Sequence, residues 1–136
     1  MAATAERALA DDIDTLSRLL VTHPLDRTQL ASVLDRIAGE VNQHRRELAS
    51  EGGLLDEDAK VNRPGLGRQE DRLHDDLIVL REEAQALAAQ VAAADASADE
   101  HLRAEGEALL ARLQDQHHRE SDLVLESVDT EVGAGD

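Results

Sequence analysis

The 136-residue chain contains no cysteine and no Phe, Tyr or Trp. Without cysteine there is no disulfide framework, no thiolate metal site and no thiol nucleophile. Without aromatics there is no stacking platform for single-stranded nucleic acid, and no tyrosine to act as ligand, radical carrier or proton donor. Positive charge is scarce too. Fourteen Lys and Arg face 30 Asp and Glu, a formal charge of −16. A phosphate backbone is repelled by such a surface, and so is an anionic bilayer. Neither nucleic acid nor membrane is therefore an expected partner. Long hydrophobic runs are also missing, since no segment reaches the roughly 20 apolar residues of a membrane span. The opening "MAATAERALADDIDTL" is acidic and amphipathic and lacks the charged-then-apolar layout of a secretion signal. The expectation is a cytoplasmic, single-domain protein over residues 1–136, with a core of Leu, Ile, Val and Ala.

What is present is helical period. One stripe runs through Leu9, Ile13, Leu16 and Leu20, and a second through Leu30, Leu34, Ile37, Val41 and Leu48. A third holds Leu66, Leu73, Leu77, Leu80, Ala84 and Leu87, and a fourth Leu102, Leu109, Leu113 and Leu123. Alternating steps of three and four turn one helix face to a core. Pro24 ends the first segment, and Asp26 with Gln29 forms a capping-box start for the second, stapled by Leu25 and Leu30. Glycine in "EGG" at 51–53 stops the second, "NRPGLG" delays the third, and Ser97 with Glu100 offers a capping box for the fourth, which ends by Gly133. The prediction is an all-α fold, an up-down-up-down antiparallel four-helix bundle. Its helices lie near 5–21, 27–51, 68–94 and 98–130, and Leu54 and Leu55 of the middle connection tuck against a bundle end. No strand pattern, phosphate loop or internal repeat competes with it.

Each stripe, extended, meets something polar. Stepping back from Leu9 gives Glu6, and between Val41 and Leu48 stands His44. Stepping back from Leu73 gives Glu70, with His74 beside the seam. Stepping on from Leu113 gives Gln116 or His117, then Glu120. Residues equally far from a turn lie level in an antiparallel hairpin. Turns centred near 24, 59 and 96 then gather Glu6, His44, His74 with Glu70, and His117 with Glu120 into one layer. Imidazole and carboxylate from facing helices are the usual ligands for iron or manganese in a bundle core. The same groups also make hydrogen-bonded polar layers that fix register. His118 falls one residue off the stripe and is expected on the surface.

The segments "HRRELASEGG", "RPGLGRQEDRLHDDL" and "RESDLVLESVDTEVGAGD" resemble the hemerythrin-like, or HHE cation-binding, family. They cover the second half of helix two through residue 136. The resemblance implies a four-helix bundle holding one or two iron ions by His and Glu/Asp, used for oxygen binding, iron handling or redox sensing. This chain departs from the family's His-x-x-x-Glu pattern, because Leu48 follows His44 and Ser121 follows His117 at that spacing; only His118–Asp122 keeps its form. Asp76-Leu77 replaces Glu-His on helix three, and Gln116 stands where a His is usual.

Two readings follow. In the first, the chain binds iron or another divalent metal through His44, His74, His117, Glu120, Glu6 and Glu70. In the second, no cofactor is bound, and a metal-free bundle acts through self-association, as a dimer, or through a protein partner. Off-stripe Leu19, Ile78, Val79, Leu110 and Leu125 would form its surface. No Ser-His-Asp spacing or other nucleophile supports a hydrolase or transferase, so binding is expected rather than catalysis.

Overall fold

Four faces that alternate by three and four can be buried only against one another, and the chain closes them into a bundle. The computed structural model describes the backbone of residues 2–50 and 67–134 and the side chains of residues 6–50 and 68–125. It contains α1 (Ala2–Val21), α2 (Arg27–Ala49), α3 (Gly67–Ala93) and α4 (Asp99–Ala134), with no strand among the described residues. The expected placements of Leu54 and Leu55 and of the "EGG" stop lie outside the described residues.

Neighbouring helices run antiparallel, as cross-helix bonds show. Arg36 binds Asp12 at 3.2 Å between α2 and α1. Arg119 binds Asp76 at 2.8 Å between α4 and α3, and Arg112, seven residues earlier on α4, pairs with Glu83, seven residues later on α3. α2 packs on α3, α1 on α2 and α3 on α4, while α1 and α4 make the sparsest contact of the four neighbouring pairs. Among the described residues, no helix is long and apolar enough to cross a membrane.

The start of α2 follows its sequence: Asp26 accepts from the Gln29 amide at 3.1 Å, and Leu25 and Leu30 are both buried. The start of α4 does not. Ser97 sits inside a 3-10 turn, Ala96–Ala98, which is capped by Asp95, whose carboxylate accepts from the Ser97 amide at 2.9 Å. Asp95, two residues upstream, takes the amide first, so α4 opens at Asp99. Its far end runs one residue past Gly133.

The core is aliphatic throughout. At the end near the two short turns, Leu16, Leu20, Leu30, Leu34, Val91 and Leu102 are buried together. Arg103 of α4 donates to the carbonyls of Leu20 and, at 3.2 Å, Thr22, serving the last turn of α1 whose carbonyls lack helical partners. Arg27 meets Asp99 at 2.8 Å at the same end.

Candidate functional site

Among the described residues, four polar side chains are buried in the bundle: His44, Glu70, Gln116 and Glu120. Strict alternation along each helix leads to all of them. His44 follows Val41 by three, Glu70 precedes Leu73 by three, and Gln116 and Glu120 continue the series Leu102, Gly106, Leu109, Leu113. A residue one step aside leaves the core, and this is where two sequence expectations need correction. His117 is exposed, not on the seam, because Gln116 holds the seam position. His74 is half-buried beside Leu73 and does not reach the His44 layer. Asn42 of α2 stands level with Arg81 of α3, joined at 3.1 Å, so His44 faces the stretch around Leu77 and Leu80. Equal spacing about the middle turn therefore does not set the level of α3 against α2. Glu70 is fully buried on α3 but does not border the His44 cavity.

The structure joins His44 and Glu120. His44 Nε2 lies 2.7 Å and 2.9 Å from the two Glu120 carboxylate oxygens. The residues are 4 % and 8 % exposed, so water does little to screen the pair. Burial pushes the His44 pKa down. The hydrogen bond and charge of Glu120, with Glu6 and Glu47 behind it, more than offset this, and the ring holds its proton above the ordinary histidine range. His44 Nδ1 is buried without a hydrogen-bond partner among the described residues.

This pair forms the inner end of a cavity of about 550 Å³. Leu9, Ile13, Val41, Leu77, Leu80 and Leu113 line it, from all four helices. Leu9 and Ile13 are only partly buried although they lie on the α1 stripe, since the space they face is the cavity. Its exposed lining residues belong to α1 (Glu6, Arg7, Ala10, Asp14) and α4 (Gln114, His117, His118). The mouth therefore opens between those two helices. Glu6 belongs to this rim and acts on His44 through its charge.

Of the residues expected as metal ligands, the structure brings His44 and Glu120 into contact and places Glu6 and His117 at the mouth of their cavity. Among the described residues, no group of three or more His, Asp or Glu side chains is arranged to hold an ion. The residues expected to form a surface patch differ in exposure. Leu19 and Leu110 pack against the core, Ile78 is half-buried, and Val79 and Leu125 are exposed. The cavity walls were not foreseen; the available signal was that Leu9 and Ile13 share a helix face with Glu6.

No family model matches the chain, and neither a curated protein nor a solved structure matches it.

Proposed function

We propose that this bundle works by binding a small ligand in the cavity that ends on His44 and Glu120. The observation that carries the reading is the cavity itself: about 550 Å³, with aliphatic walls and one buried polar pair. Ligand sites typically enclose roughly 300–1,000 Å³ of mostly apolar lining with a few placed polar groups. With no aromatic residue in the chain, the walls favour aliphatic bodies over stacked rings.

Titration with 1-hexanol, a neutral aliphatic probe, tests this. Binding should saturate at one site and raise Tm, because ligand binds the folded chain alone. Ile13→Phe, which fills the cavity from its α1 wall, should abolish binding while the chain stays folded. Non-saturable uptake, or binding indifferent to Ile13→Phe, contradicts the reading.

A second reading keeps the hemerythrin-like expectation of a divalent cation, iron or otherwise. It is favoured by the borders of the same cavity, where Glu6, His117 and His118 stand around the buried His44 and Glu120. Two of these five are in mutual contact; a cation would need at least one rim residue to turn inward. Zinc, a redox-inert probe, should then bind with loss in His44→Ala and with proton release, since the ligands must be deprotonated. His117→Ala and His118→Ala distinguish which rim imidazole joins. Absence of zinc binding in the parent chain excludes this reading and leaves the first standing.

A further inference from the structure

We propose that the cavity takes an aliphatic ammonium ion, its alkyl chain against the leucines and its charged amine paired with Glu120 and Glu6. This rests on the small-ligand reading above and adds the ligand's chemical class.

The walls determine the body. Val41, Leu77, Leu80 and Leu113 are buried and contribute no polar group. An alkyl chain laid against them is removed from water along its length, which favours binding in proportion to the apolar area buried.

The sign of the head group follows from the field at the polar end. Glu120 has two oxygens, roughly four acceptor sites, and His44 Nε2 lies against both. Acceptor capacity therefore remains on a carboxylate that borders the cavity. At the mouth, α1 presents Glu6 and Asp14 against a single Arg7, while α4 presents the imidazoles of His117 and His118. On α2, Glu47 adds its charge at His44. From α3 only Leu77 and Leu80 face the cavity. Far from the mouth, the net charge of −16 draws cations and repels anions. The charges of Glu120, Glu6 and Glu47, which raise the His44 pKa against its burial, act at the same inner end. A carboxylate or phosphate head would meet this field unfavourably, and a neutral head would leave it unused.

The pairing has a consequence for protons. An ammonium at Glu120 sits beside protonated His44, and two cations sharing one carboxylate repel. Binding therefore drives the proton off His44, which still donates to Glu120 through Nε2 as a neutral imidazole. Ammonium affinity should rise with pH, approaching about tenfold per unit where one proton is exchanged per ligand. A neutral alcohol should show no such dependence.

The test compares n-hexylammonium, 1-hexanol and hexanoate on the full chain by calorimetry, from about pH 6 to about pH 8, where the amine stays charged. Hexylammonium should bind tightest, about tenfold or more above hexanol, as a charge-assisted bond predicts. Glu120→Gln should erase that preference and leave hexanol binding intact. If that variant fails to fold, Glu6→Gln at the exposed mouth should narrow the preference in a folded chain. His44→Gln should flatten the pH dependence, which separates His44 from Glu40, a group that titrates at about 8 on the same helix. Hexanol binding as tightly as hexylammonium, or hexanoate binding tightest, overturns the ammonium class and leaves the cavity reading in place. No binding of any of the three overturns both.

Discussion

The two ends of the bundle are built from the same aliphatic alphabet and differ in how closely α1 approaches α4. Near the short turns, Gly106 of α4 faces Leu20 of α1; a Cβ there would stand 2.5 Å from Leu20 Cδ2. The missing side chain lets the helices close, and Arg103 clasps the α1 carbonyls across the seam. Toward the other end, Leu9 and Ile13 face Leu113 and Gln116 across the cavity. Closure is thus set residue by residue, by the pairing of a small position with a large one. The open end is also where the core admits charge.

The buried pair is where the open end is most sensitive to substitution. Glu120→Ala leaves His44 buried without its carboxylate and should cost about 3–5 kcal/mol in urea unfolding. Replacing both, His44→Leu with Glu120→Met, should recover most of that loss or exceed the parent's stability. A single variant that unfolds like the parent would mean that water already solvates the pair.

At the closed end, Leu16→Ala should cost about 2–5 kcal/mol, because a fully buried side chain leaves a void. The matched change at the open end, Ile13→Ala, should cost under about 1.5 kcal/mol, since that side chain already borders empty space. Equal costs would erase the distinction between the ends. Gly106→Ala should cost up to about 2 kcal/mol, because forcing the buried Leu20 methyls aside outweighs the roughly 1 kcal/mol that alanine gains over glycine within a helix. Stability unaffected by this change would show that the close approach is not needed.

The smallest effect is a dependence on pH. Burial, then the neighbouring Asp12, raises the Glu40 pKa from 4.5 to about 8. The folded chain holds that proton more tightly than the unfolded one. Its contribution is therefore complete below pH 4.5 and is lost as pH rises toward 8. The raised His44 pKa acts in the same direction, complete below 6.5 and lost as pH rises through the folded value. Tm should fall between those limits, less steeply in Glu40→Gln and in His44→Gln. A Tm that climbs over the same range contradicts both assignments.

Much of this was legible in the sequence, for definite reasons. Apolar period located four helices and the Asp26 cap the start of α2, because burial of one face and satisfaction of helix ends are local demands. His44 and Glu120 were found by continuing the stripes, and both lie in the core. His117 lies a step of four from Leu113 and Gln116 a step of three, both helical spacings, and only packing decides that Gln116 takes the seam; His74 lies one residue from the seam position of Leu73. The level of α3 against α2 could not be counted from the turn, because a long connection leaves helix register to side-chain packing. The cavity depends on how far apart two helices stand, which periodicity does not encode. The sequence carries one hint in Gly106, the small residue that lets α1 and α4 close against Leu20.

The most direct measurement is a methyl-labelled NMR titration with 1-hexanol. The account predicts saturable shifts at Leu9, Ile13, Leu77, Leu80 and Leu113, with Leu16, Leu30, Leu34 and Leu102 unmoved. Shifts centred on the closed end, or spread evenly over both ends, would contradict it.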